Sequence, residues 1–251
     1  MGEEIAKRDG MAMARPDWLK EGRRGTENIQ RGDIRPPALR LAQAMSPEVK
    51  RAEPQYIDGL REGDLFNSIT QEIYGDGPVK FLIVNYLGHR NVEFDPNDRN
   101  VVIDGNVPDN DPRCNFTMGL DDNNKPIKKK PRATQFKDFL ILLLRDGSDP
   151  ALMTLTLKST QLKKATRLLS VLQFSKLDTF SFLIQGTPVP ERKGKNSWYG
   201  WRFDPVGYPT EAQYNEAARV YDEMKDKEIT PETEGDAVAG ADEPKDDDIP
   251  F

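Results

Sequence analysis

A chain of 251 residues, 36% of them hydrophobic and 31% charged, sits at the polar end of the globular range and has room for one core with extensions. Its longest apolar run, from Phe139 to Leu144, falls well short of the ~20 residues that cross a bilayer, and a single cysteine and a single histidine exclude a disulfide framework and a Cys/His zinc site within one chain. The net charge of −6 is uneven: from Asp222 onward twelve acids face three lysines, a net of −9, while the first 221 residues carry 33 bases and 30 acids, or +3, a split that suits nucleic-acid work.

Residues 1–35 mix Gly, Arg, Asp and Glu without hydrophobic period and read as a mobile arm, with Trp18 and Leu19 as its local anchors. They hold no signal-peptide apolar region, so a soluble protein in a reducing, intracellular compartment is expected. A domain is expected over 36–208. It opens on Pro37-Ala38-Leu39-Arg40-Leu41, whose alternation suggests a short strand, followed by Gln43 and Ser46-Pro47-Glu48. This opening, with Gly63-Asp64 further on, resembles that of proteins encoded by tailed bacteriophages, which implies a viral source and the cytoplasm of a bacterial host.

Asp64 to Ile69 and Val79 to Leu87 read as a first hairpin around Gly75-Asp76-Gly77. Residues 90–135 form a long polar excursion with only Val101-Val102-Ile103 as apolar content. Its end is dense in cations: Lys125, Lys128, Lys129, Lys130 and Arg132 form either a solvated loop or an arm that contacts phosphates. Strands follow over about 136–144 and 151–157, joined by the turn Arg145 to Pro150, with Met153, Leu155 and Leu157 alternating with Thr154, Thr156 and Lys158. Ser159 or Thr160 is placed to cap a helix running to Phe174, with Leu162, Ala165, Leu168, Leu169 and Leu172 on its apolar stripe and Lys163, Lys164 and Arg167 on its wet face. Two further strands, 179–185 and 197–203, are joined by a Pro188-to-Asn196 loop carrying Arg192, Lys193 and Lys195. Hairpin, strands, one helix and a final hairpin is the element order of an OB-fold, so the predicted class is mainly β: a five-stranded, partly open barrel with one capping helix. A C-terminal helix is expected within 209–227, opened by Pro209-Thr210, and a disordered acidic tail over 228–251.

Binding of single strands without sequence preference needs cations for phosphates and flat side chains for bases. Strand alternation in 197–203 puts Tyr199, Trp201 and Phe203 on one face and Trp198 and Arg202 on the other; either face could meet a ligand and either could fill the core. The tail ends in Asp246, Asp247, Asp248, Ile249, Pro250 and Phe251, which joins concentrated negative charge to an apolar, aromatic terminus suited to a shallow pocket rimmed by cations. This tip resembles that of bacterial single-stranded DNA-binding proteins. The resemblance implies a protein that coats and protects single-stranded DNA in replication and recombination and recruits enzymes through the tip.

No phosphate-binding GxxxxGK[ST] loop occurs, and neither enzymatic activity nor a cofactor is expected. One alternative is a metal-dependent nuclease built on Asp109, Glu191 and Lys193, with carboxylates holding Mg²⁺. The other is an adaptor that mimics the host tip without binding DNA. Cys114 has no paired base in the sequence and reads as an incidental thiol.

Overall fold

The computed structural model describes residues 36–98, 101–120, 124–145, 147–194, 196–227 and 229–232, with the Lys193 side chain left aside. The expected N-terminal arm, Lys195, and the acidic tail from 233 with its Asp246–Phe251 tip lie outside the described residues.

The architecture is mainly β. Eleven strands are described: β1 (Leu39–Leu41), β2 (Leu65–Asn67), β3 (Ile73–Gly75), β4 (Val79–Phe94), β5 (Val102–Asp104), β6 (Thr117–Leu120), β7 (Pro126–Lys129), β8 (Ala133–Arg145), β9 (Ser148–Lys158), β10 (Leu183–Lys193) and β11 (Asn196–Gly207). Two helices accompany them, α1 (Leu162–Ser175) and α2 (Glu211–Met224). The main sheet is antiparallel in the order β11-β10-β4-β8-β9, with β5 on the far end of β4. A small sheet β1-β2-β3 and a two-stranded ribbon β6-β7 complete the described strands.

The central strands explain their own sequences. Phe81 to Val84 on β4 and Phe139 to Leu143 on β8 are unbroken apolar runs because both faces of the sheet are covered there. Phe81, Ile83, Phe139, Ile141 and Leu143 enter the larger core with Ala165, Leu168 and Leu172 of α1. Leu82, Val84, Leu140 and Leu142 point the opposite way, onto Ala217 and Val220 of α2. α2 begins where expected: the Thr210 hydroxyl accepts from the Gln213 amide and the Gln213 side chain accepts from the Thr210 amide, a reciprocal cap.

Several expectations are corrected. The five long strands do not close into an OB barrel. β9 and β11 form no ladder with each other, because β1 approaches the outer edge of β9 through a single parallel bridge, Ala38 to Thr154, and side chains take the outer edge of β11. This approach also buries Thr154 completely, on a strand whose alternation suggested half-exposure. Secondly, residues 65–67 do not form a hairpin with β4. The Asn67 carboxamide oxygen accepts from the amides of Ile69 and Thr70, reversing the chain at once so that β2 lies between β1 and β3.

Thirdly, residues 90–135 are not one long loop. They hold the end of β4, all of β5, and the β6-β7 ribbon, tied by ion pairs and polar hydrogen bonds as well as by the buried Val92 and Val107. Arg113 reaches Glu93 at 2.7 Å, Asp104 at 3.0 Å and Asp111 at 2.8 Å, and Asn91 donates to Asp109 at 2.7 Å. Finally, the basic Pro188-to-Asn196 segment is strand, not loop. β10 and β11 stay paired out to Lys193 and Asn196, whereas β10 meets β4 only over Ile184 to Gly186. β4 starts opposite Gly186, so the rest of the hairpin extends past the sheet, where Pro188 and Pro190 are tolerated at an edge. At the start of α1 neither Ser159 nor Thr160 caps; the N-cap is Gln161, whose side chain reaches β11 instead.

Candidate functional site

Where β9 and β11 fail to meet, a cleft of about 400 Å³ opens. Its walls are β1 (Leu39 to Leu41), the end of β9 (Thr156 to Lys158) and β11 with Trp198 and Tyr199; Phe136 of β8 also lines it. Arg40 and Lys158 bring two cations to this lining. The Arg40 guanidinium is held by Glu48 at 2.6 Å and lies over Phe66, and the Lys158 ammonium sits 5.7 Å from the centre of the Phe136 ring. On the other side of Phe136, Arg90 stacks at 5.0 Å while donating at 2.9 Å to the buried Asp138, which also accepts from Thr156 at 2.6 Å.

The β11 wall is held by side chains that imitate a neighbouring strand. The Gln43 amide donates to the Tyr199 carbonyl at 3.0 Å, and its oxygen accepts from the Tyr199 amide at 2.9 Å. The Gln161 oxygen accepts from the Trp201 amide at 3.0 Å, and Lys164 donates to the Trp201 carbonyl. Backbone groups that a closed barrel would pair are thus satisfied without closing it. Lys164, expected on the wet face of its helix, also pairs with Glu191. Glu191 in turn accepts from the Trp198 indole at 2.8 Å across the β10-β11 pair, fixing that ring. Gly200 makes the arrangement possible, because a Cβ there would overlap the Glu191 carboxylate and the Gln161 amide. Burial pushes the Glu191 carboxyl up, but hydrogen bonds from Lys164 and Trp198 outweigh it and hold the group below the usual glutamate range.

The aromatic alternation is resolved. Trp201 is 4% exposed and stacks on Phe203 with centroids 5.5 Å apart, so its ring belongs to the core where it borders the cleft. Trp198 and Tyr199 are half-buried at the cleft. The Tyr199 ring packs against Gly63, whose backbone at φ +93° has no Cβ to clash with it. Arg202 and Arg192 are exposed on the hairpin, Arg202 paired with Asp204 at 2.9 Å and Arg192 donating to the Gly194 carbonyl at 3.1 Å. Lys128, Lys129 and Lys130 lie exposed on or beside the β6-β7 ribbon, and Arg132 reaches Glu93 at 2.5 Å; none of these four lines the cleft.

Arg40, Gln43, Phe136, Lys158 and Gln161 were not foreseen as site residues, since nothing local in the sequence ties them to β11. The chain after α2 also returns here: Ile229 packs onto the second core, and Glu232 lines the cleft and accepts at its carbonyl from Arg90 at 3.4 Å. Of the residues considered for a nuclease, Asp109 is engaged by His89 at 2.9 Å and by Asn91, and Glu191 by Lys164 and Trp198. Among the described residues no group of three or more His, Cys, Asp or Glu side chains is placed to hold a metal. The Cys114 thiol donates to the Pro108 carbonyl at 3.5 Å, and burial together with Asp111 and Asp109 raises its pKa. No helix among the described residues is long and apolar enough to cross a membrane.

Comparison with curated proteins and with solved structures finds no match. A family model described as Pam3 phage gp34-like protein matches residues 7–230, nearly the whole of the described body, and the chain therefore belongs to this bacteriophage family.

Proposed function

We propose that this phage protein binds single-stranded DNA non-enzymatically, protects it in replication and recombination, and recruits enzymes through its acidic tip. The observation that carries this reading is the cleft: Trp198 and Tyr199 stand half-buried at an opening of about 400 Å³ that Arg40 and Lys158 also line. A base entering it stacks on an aromatic face, a contact of ~1–3 kcal/mol, while its phosphates meet the cations. Arg192 and Arg202 extend positive charge along the same hairpin. The order of long strands with α1 between β9 and β10 supports reading the sheet as an OB-fold-like plan left open at the cleft.

The tail has two roles in this reading. Its net negative charge competes with DNA for the cations of the body, and Glu232 already sits at the cleft. The segment Asp246–Phe251 captures partner enzymes through charge and an apolar aromatic end.

The test is fluorescence anisotropy of the purified chain against labelled oligo-dT, a duplex of equal length and single-stranded RNA, each at two salt concentrations. Preference for single-stranded DNA with affinity falling as salt rises supports the reading. Removing residues 246–251 should leave or raise DNA affinity and abolish partner capture. No binding by either form sinks the DNA reading and leaves the adaptor role of the tip.

A further inference from the structure

The β6-β7 ribbon carries an apolar surface that the core does not use. In its register Met118 faces Lys128 and Gly119 faces Ile127, so Phe116, Met118 and Leu120 alternate onto one face together with Lys128. All three are exposed, Phe116 at 58%, Met118 at 72% and Leu120 at 58%. The Lys128 ammonium sits 4.2 Å from the centre of the Phe116 ring, closer than any other cation–ring contact described in the molecule. Lys129 lays its stem over Gly119 on the opposite face, where a Cβ would collide with it. Lys125, Lys128, Lys129, Lys130 and Arg132 stand in this short stretch against Asp121 and Asp122.

A planar ring capped on one face by a lysine, within a cluster of cations, is suited to a base on its free face and a phosphate beside it. Placement favours the same polyanion that the cleft is proposed to hold. The ribbon leads directly into β8, whose first residue is Ala133, and Phe136 of β8 lines the cleft. From Lys129, the last ribbon residue, the chain reaches Phe136 in seven residues, at most about 23 Å of extended backbone. Arg132, 72% exposed and shared with Glu93, stands between them in sequence.

Resting on the single-stranded DNA reading, we infer that the β6-β7 ribbon is a second contact element for the same strand, with Phe116 as its stacking residue and Lys128, Lys129 and Lys130 as its phosphate contacts. A strand leaving the cleft past Phe136 runs along the ribbon, so the ribbon acts only on DNA long enough to span both.

Two labelled oligo-dT probes, of ~5 and ~20 nucleotides, stand near the lower end and beyond the upper end of the ~4–16 nucleotide site sizes of single-strand-binding folds. Phe116→Ala should weaken the long probe about fivefold or more and leave the short one within about twofold. Phe116→Leu, which keeps bulk without a flat face, should lose as much, and Phe116→Trp should restore binding. Replacing Lys128, Lys129 and Lys130 together by Gln should reduce the salt slope on the long probe alone, by about 2. An unchanged unfolding midpoint is expected for every variant, as the positions are exposed. Long-probe binding by Phe116→Ala equal to wild type, or equal losses on both probes, overturns the inference while leaving the cleft reading intact. Failure of the wild-type chain to bind either probe overturns both.

Discussion

The Gln43 side chain makes the sharpest test of the open seam, since it alone supplies both a donor and an acceptor to Tyr199. Gln43→Ala removes both hydrogen bonds to Tyr199, each worth ~0.5–1.5 kcal/mol net, together with a long one to the Leu41 carbonyl at 3.4 Å, and leaves a half-buried amide and carbonyl for water to satisfy. A loss of about 1–3 kcal/mol follows, or roughly 2–12 °C in the unfolding midpoint of a domain this size. Gln43→Glu is more discriminating. At neutral pH a carboxylate only accepts, so it opposes the Tyr199 carbonyl and should be less stable than Gln43→Ala. Once protonated it again offers one donor and one acceptor. The introduced carboxyl therefore has a folded pKa raised above its unfolded value of ~4.3, and its contribution is fully present below that value and lost as pH rises through the raised one. Thermal unfolding from pH 7 to pH 4 reads this directly: Gln43→Glu should recover toward wild type relative to Gln43→Ala. Hydrogen exchange adds a second check, with the Tyr199 and Trp201 amides protected in the wild type although they face glutamine side chains and not a described strand. A Gln43→Glu variant as stable as wild type at pH 7, or fast exchange at both amides, would refute the side-chain closure.

Three further outcomes separate core from site. Trp201→Ala should lose about 3–5 kcal/mol because a buried ring leaves a cavity, whereas Trp198→Phe should keep most of the stability and lose DNA affinity with its Glu191 hydrogen bond; urea unfolding and anisotropy on the same samples distinguish them. Gly63→Ala combines a strained positive φ with a Cβ 2.8 Å from the Tyr199 ring and should destabilise by about 2 kcal/mol or more, read by the same urea unfolding. Glu191 is held below the usual glutamate range, so its stabilisation is present above that range and lost as pH falls through the depressed value; Glu191→Gln should flatten this acid-side slope of the unfolding midpoint.

What the sequence conveyed and what it hid follow from the range of the interactions involved. α2 was legible because its cap is local: Pro209, Thr210 and Gln213 lie within five residues. β4, β8 and β9 were legible because apolar runs and alternation report burial directly. The 90–135 region misread because Asn and Asp mark loops by default, whereas here Asn91, Glu93, Asp104, Asp109, Asp111 and Arg113 hold strand and turn together by charge. The cleft was half legible. Trp198, Tyr199 and Trp201 stand in one strand and announced themselves, but Gln43, Lys158 and Gln161 join them only through contacts spanning about 40 to 156 residues. An isolated glutamine carries no signal that it stands in for a strand.

That substitution also accounts for where the cleft lies. A backbone ladder between β9 and β11 would bring the strands to ~4.8 Å and leave no space between their side chains. Two glutamines and a lysine satisfy the same edge groups from a greater distance, since each inserts the length of its own side chain. The seam is therefore held apart and hydrogen-bonded at once, and Trp198 and Tyr199 of β11 remain at an opening instead of closing into the core. Glu191 extends the device by fixing the Trp198 indole from the neighbouring strand, with Gly200 leaving the room it needs. Shortening Gln161 to Ala should consequently free the Trp201 amide and loosen the seam, lowering DNA affinity more than global stability, because the buried Trp201 ring stays anchored on Phe203. Equal losses of stability and affinity would instead mean that the cleft is a by-product of packing and not a held-open site.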